Sequence, residues 1–128
     1  MDRTDFLTIE DLLEIAQAIL PSVEVRDIGL LESAAARPQA SAFGEPAYRT
    51  FEEQAGALMH SLARNHPLVD GNKRLAWTAL RVFHLINGRD LVYGVDDAES
   101  LVLDVAKGDR DVAAIAQWLR DHGTASLG

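Results

Sequence analysis

Between Asn65 and Trp77 the chain reads NHPLVDGNKRLAW, which sets a histidine, an aspartate, a Gly-Asn pair and two cations in one short segment. The imidazole of His66 can accept a proton from an incoming hydroxyl at neutral pH. Asp70 offers a carboxylate suited to Mg²⁺, which takes few protein carboxylates and fills its shell with phosphate and water oxygens. Gly71 and Asn72 stand where a helix begins, and unpaired N–H groups there form a nest for phosphate or another oxyanion. Lys73 and Arg74 add full positive charges at the same place, and an arginine can hold phosphate through two hydrogen bonds. A base facing an anchored, metal-bound phosphate is the minimum equipment for moving a phosphorus group onto an alcohol.

The two cations are also an electrostatic anomaly. A helix N-terminus carries partial positive charge, so each misplaced cation costs about 0.3–1 kcal/mol unless an anion sits nearby. The anomaly stands out because the 128-residue chain is acidic, with a net charge of −8. That balance disfavours a general electrostatic grip on DNA or RNA, so no direct nucleic-acid binding is expected. Singly, each residue has a plainer explanation. Asp-Gly is a common turn pair, His-Pro can end a helix, and Lys and Arg can face solvent. Their combination at fixed spacing is what points to chemistry.

The chain contains no cysteine, so a disulfide framework or thiolate metal site is excluded. The N-terminal MDRTDFLTIEDLL mixes acids with its apolar residues and lacks the pattern of a signal peptide. No apolar run is long enough to span a bilayer. A cytoplasmic protein without membrane association is expected.

Helical periodicity dominates the elements that must position the segment. Thr8 with Asp11 reads as a capping box opening a helix that stops before Pro21, and a second helix begins after Asp27 and ends before Pro38. Residues 37–49, RPQASAFGEPAYR, form a long irregular loop. Thr50 with Glu53 opens a third helix whose buried stripe is Ala55, Leu58, Met59 and Leu62. It ends at Asn65-His66-Pro67, because proline disfavours helical geometry in the residue before it. Leu68 and Val69 should anchor the loop in the core. A fourth helix, about 71–87, has Asp70 as expected N-cap and Gly88 as C-cap, and its nearly all-round apolar pattern marks it as the central one. Two more helices end at Gly108 and Gly123, and the tail at about 124–128 should be loose. Strands are expected only near 91–93 and within 37–49. The expectation is a single all-α domain over 1–128 with about six helices.

Other residues point to structure. His60 and His122 read as helix-end cations, and His84 as a hydrogen-bonded residue at the core edge. No two histidines have the i, i+4 spacing of a zinc site. Trp118 and Phe83 fall in core periods, and Arg64 reads as an exposed helix-end cation.

HPLVDGNKR resembles the signature of the Fic/Doc superfamily, H-P-F-x-D/E-G-N-G/K-R, matching at His66, Pro67, Asp70, Gly71, Asn72 and Arg74. The flanking DIGLLESAAARPQ, LARNH and AWTALRVFHLING resemble the Doc (death on curing) toxin branch. Leu68 replaces the family's usual Phe. Lys73 stands where the nucleotidyl-transferring enzymes have a second Gly, and Trp77 where they have a second Arg; both match the Doc branch. The resemblance implies a compact Fic/Doc-like bundle and the toxin of a Phd/Doc-type toxin–antitoxin system. Such a toxin is a protein kinase that moves the γ-phosphate of ATP onto a Ser/Thr hydroxyl of a translation factor, elongation factor Tu, and halts translation until a Phd-type antitoxin restrains it. By position, His66 is the base, Asp70 the Mg²⁺ ligand, and Gly71, Asn72, Lys73 and Arg74 the phosphate cradle. The loop 37–49 matches the flap that positions the target. Ser41-x-x-x-Glu45 is the nearest match to the family's inhibitory helix, but Pro46 follows it, so inhibition should come from a separate chain. A protein AMP or nucleotidyl transferase, and a catalytically inactive corepressor that binds the antitoxin, are the alternative readings.

Overall fold

The computed structural model describes residues 3–123, so the expectation of a loose tail at 124–128 lies outside the described residues. The fold is all-α apart from one small hairpin. Its helices are α1 (Ile9–Ile19), α2 (Ile28–Ala36), α3 (Phe51–Asn65), α4 (Asn72–Ile86), α5 (Val95–Lys107) and α6 (Val112–His122). No helix among the described residues is long and apolar enough to cross a membrane.

Local chemistry explains the starts. Thr8 accepts from the Asp11 N–H at 3.1 Å while its own N–H donates to Asp11 at 2.8 Å, and Thr50 and Glu53 repeat this reciprocal cap on α3. Asp27 caps α2 and Asp111 caps α6 by accepting from Leu30 and Ala114. At the other end of α5, Gly108 takes φ +88°, the left-handed conformation that suits glycine. Gly123 instead follows α6 in extended backbone and bridges to Leu91.

The 37–49 segment is more ordered than its composition suggests. A short 3₁₀ turn (Arg37–Gln39) leads into an antiparallel hairpin of β1 (Ser41–Ala42) and β2 (Glu45–Pro46). Phe43 and Gly44 at its tip both have positive φ, as a two-residue type I′ turn requires.

The hub of the core is α3, not α4. Helix α3 packs against α2, α4, α5 and α6, whereas α4 packs mainly against α3, α1 and α5 and leaves Leu85 and Ile86 exposed. The reason lies in the small residues Ala55, Gly56, Ala57 and Ala63, which let neighbours approach α3 from several sides. A Cβ at Gly56 would lie 3.2 Å from the Val112 carbonyl oxygen and 3.4 Å from Ile115. Buried Leu12, Leu31, Leu58, Leu62, Leu75, Leu80, Phe83 and Ile115 fill the spaces between helices. Two further expectations change. Gly71, not Asp70, is the N-cap of α4, and Val69 faces solvent at 60% exposure while Leu68 is buried beside Pro67.

Candidate active site

The loop between α3 and α4 is built around a backbone that most residues avoid. His66 caps α3 at φ 52°, ψ 64°, in the left-handed region. Pro67 excludes ordinary helical geometry there, and a left-handed residue is a common way to end a helix. A non-glycine residue in this conformation costs on the order of 1–3 kcal/mol and persists only when its surroundings hold it.

The surroundings do so from the α1–α2 connection. Arg26 donates through Nε to the His66 carbonyl at 2.7 Å and through Nη2 to the Asn65 carbonyl at 2.8 Å. The Pro67 carbonyl accepts from the backbone N–H groups of Arg26 and Asp27, and Val69 N–H donates to the Glu24 carbonyl at 2.9 Å. Val25 and Leu68 form an isolated antiparallel bridge. Segment 24–27 thus runs strand-like beside 67–69 and fixes the direction in which the loop leaves α3.

Asn72 closes the loop from the other side. Its Oδ1 accepts from Leu68 N–H at 2.8 Å and its Nδ2 donates to the Leu68 carbonyl at 2.9 Å, all of it buried. The side chain is therefore committed to the loop, and what Asn72 offers a ligand is its backbone N–H. Asp70 Oδ1 accepts from Gly71 N–H at 2.8 Å, and no described residue bonds Oδ2. Gly71 is required on two grounds: its φ is +88°, and a Cβ there would come within 2.6 Å of Leu20 Cδ2.

The first bond within α4 is Leu75 N–H to the Gly71 carbonyl at 2.9 Å. The N–H groups of Asn72, Lys73 and Arg74 consequently have no carbonyl one turn back. They open into a cleft of about 600 Å³ lined by His66, Val69, Asp70, Gly71, Asn72, Lys73 and Arg74, with Leu20, Pro21 and Ser22 as the opposite wall. Lys73 and Arg74 are exposed, and Arg74 Nη1 lies 3.4 Å from the Ile19 carbonyl at the end of α1. All six sequence-predicted site residues therefore line one cleft.

The donor set fits Mg²⁺ and not a protein cage. Asp70 is the single carboxylate in the cleft, and the described residues contain no group of three or more potential ligands. A hard cation held by one carboxylate, phosphate and water is the arrangement that set allows.

The flap does not line this cleft. Its base is tied to α3 by Arg37, which donates to the Tyr48 hydroxyl at 2.9 Å, to His60 Nδ1 at 2.9 Å and to Ser61 at 3.1 Å. Arginine can only donate, so His60 Nδ1 must be the unprotonated acceptor. Burial, with Arg37 and Arg64 nearby, lowers the His60 pKa. His60 is thus a neutral mid-helix acceptor and not the helix-end cation its position suggests. Arg64 donates to the Ala106 carbonyl at 3.1 Å at the end of α5, a helix-end role. His84 is buried against Leu80, and burial lowers its pKa also. His122 stacks on Trp118 at the end of α6.

Sequence reasoning missed Arg26 and the Leu20 wall. The one available signal was general: the last turn of α3 leaves carbonyls that need donors.

A family model described as the Fic/DOC family matches residues 6–84. The chain is also 46% identical over 126 residues to Toxin Doc of Mycolicibacterium smegmatis, covering 96% of this chain and 97% of that protein. The chain belongs to the Fic/DOC family.

Proposed function

We propose that this Fic/DOC family member is the toxin of a toxin–antitoxin system and acts as an ATP-dependent protein kinase. The observation that carries the reading is the convergence of His66, Asp70 and the open N-terminus of α4 on one cleft, with Lys73 and Arg74 at its mouth. The relative named Toxin Doc supports the toxin assignment.

In this reading the backbone N–H groups at 72–74, with Lys73 and Arg74, hold the terminal phosphate of ATP. Mg²⁺ held by Asp70 offsets negative charge on the phosphate oxygens when bound. His66 takes the proton of a Ser/Thr hydroxyl as its oxygen bonds to the γ-phosphorus, and the bond to ADP breaks. The strained, held backbone at His66 sets the point and direction at which its side chain leaves the loop. Lys73 selects the γ-phosphate, because its long charged side chain occupies room that a triphosphate running past the nest would need. By the family resemblance the acceptor is a threonine of elongation factor Tu, and the restraint is a Phd-type antitoxin.

The test is incubation of the purified chain with Mg²⁺, a translation extract and either γ-labelled or α-labelled ATP. The γ-label should pass to a single protein with release of ADP. Transfer of the α-label with pyrophosphate release would replace this reading with nucleotidyl transfer, and no transfer of either label would favour the inactive corepressor.

A further inference from the structure

The His66 cleft has one side-chain hydroxyl in its lining, that of Ser22, on the wall opposite the base and the N-terminus of α4. The short segment that carries it is tied at both ends to the start of α4 and the loop before it. On one side α1 stops at Leu20, which turns to extended backbone at φ −109°, ψ 145° ahead of Pro21. Leu20 packs on the start of α4, so closely that a Cβ at Gly71 would come within 2.6 Å of its side chain. On the other side the Glu24 carbonyl accepts from Val69 N–H at 2.9 Å. Ser22 lies two positions from each tether, so the loop that carries Asp70 also fixes where this serine stands.

The hydroxyl has no structural task among the described residues. A serine in a turn commonly bonds a nearby backbone group, which is the ordinary reason for its presence there. Ser22 is exposed, and its side chain bonds no described residue.

We infer that Ser22 is a modification site: the chain phosphorylates its own Ser22 in this cleft, and the phosphoserine then blocks the anion site. The inference rests on the kinase reading above and gives that reaction an acceptor within the chain. Ser22 Oγ bonds to the γ-phosphorus of ATP, its proton passes to His66, and the bond to ADP breaks, so one phosphate stays on the chain and ADP leaves. A separate protein must dock before it reacts, whereas a hydroxyl in the cleft wall is always present at high effective concentration. The product carries about −1.5 to −2 charges at neutral pH and three strong acceptor oxygens. Across the cleft it meets Lys73, Arg74 and the N–H groups at 72–74, the donors that hold the terminal phosphate of ATP. A tethered anion there offsets the two misplaced cations and excludes the next nucleotide, so the modification is self-limiting.

The experiment incubates the full chain, first stripped with a phosphatase, with Mg²⁺ and γ-labelled ATP and no other protein, and maps the label by mass spectrometry. One phosphate should appear on Ser22, and the fraction labelled per minute should not change with chain concentration. Ser22→Thr keeps a hydroxyl and should be labelled; Ser22→Ala and His66→Ala should not. Isothermal titration calorimetry should then show inorganic tripolyphosphate binding the phosphorylated chain about tenfold or more weakly than the stripped chain, because a fixed anion occupies its donors. A chain that labels a protein of a translation extract but never its own Ser22 overturns the inference and leaves the kinase reading standing. Labelling that rises with chain concentration, or a phosphorylated chain that binds tripolyphosphate as before, overturns the self-blocking site in the same way. No transfer to Ser22 or to any extract protein overturns both.

Discussion

His66 and Phe43 are the two non-glycine residues with positive φ among the described residues, and they are held in opposite ways. At Phe43 the conformation is a local demand: a two-residue hairpin needs it, and Gly44 shares it. Residues 40–47 are all exposed, and beyond the β1–β2 ladder the hairpin has an Ala47-to-Ala40 backbone bond and an exposed Arg49–Glu45 pair at 3.0 Å. Such a pair contributes little. At His66 the conformation is imposed from outside, by Arg26, by the 24–27 backbone and through the Asn72 clasp on Leu68. Similar torsions thus serve different ends. One region fixes the backbone from which a side chain leaves the loop; the other is a tip held by little besides its own turn. Under the proposed function that division separates the base from the element that meets the target.

Removing the group that the rigid region holds should have the largest effect. His66→Ala should lower transfer by about 10²–10⁴-fold or more, since a positioned base is lost. The side chain is exposed, so the circular dichroism spectrum and melting midpoint should stay near the parent's. His66→Gly should lose the same activity yet gain stability of about 1 kcal/mol in urea denaturation, because glycine relieves the left-handed strain. A parent-like rate in either variant would remove His66 as the base.

Breaking the clasp should be the most costly change for stability. Asn72→Ala leaves the Leu68 N–H and carbonyl buried without partners, for a loss of about 2–4 kcal/mol. A urea midpoint equal to the parent's would mean that water replaces the amide. Arg26→Ala should be milder, at about 1 kcal/mol or less, since its carbonyl partners lie near solvent. Transfer should nevertheless fall about tenfold in kcat, with KM for ATP little changed, because the backbone of His66 is released. Arg26→Lys should restore only part of the rate, as one ammonium lacks the fork that spans two carbonyls.

These contrasts also mark what could be read from the sequence. The capping boxes at Thr8 and Thr50, the stripe of α3 and the convergence of His66 with Asp70 to Arg74 all depend on neighbours within a turn or two, and local spacing carries them. Arg26 acts across 40 positions of chain, and nothing in its own surroundings announces a partner. The role of α3 as hub was hidden because small residues, not large apolar ones, make a helix approachable. Asp70 resembled a cap by type, but the left-handed turn at Gly71 shifts the helix start one residue on.

Two histidines, His60 under the 37–49 segment and His84 in α4, offer a pH test. His60 and His84 have lowered pKa values in the folded chain, from burial first and, for His60, from Arg37 and Arg64. The unfolded chain therefore binds more protons between each lowered value and the ordinary histidine value near 6.5. Stability should be full above about pH 6.5 and fall as pH drops through that window. Melting midpoints between about pH 5 and 7.5 measure it. His60→Gln, which keeps an acceptor for Arg37, should flatten part of the slope. An unchanged slope would assign the whole effect elsewhere.

The smallest expected effect comes from the flap tip, and it is the sharpest check on the contrast between the two left-handed residues. Phe43 is fully exposed, so its ring adds no burial to the fold, while its φ of 54° remains unfavourable for a bulky side chain. Asparagine tolerates that conformation, and Asn-Gly is the preferred pair of a type I′ turn. Phe43→Asn should therefore stabilise the chain, by about 0.5–1 kcal/mol at most. The gain should be confined to the hairpin, visible as slower amide exchange at Ala42 and Glu45 with no change in the 65–72 loop. If the flap is a separate, locally determined unit, ATP binding and the pH profile stay as in the parent. Slower exchange spreading to Leu68 and Val69, or a shift in ATP affinity, would show that the two regions are coupled and that the flap's backbone, like His66's, is set from outside.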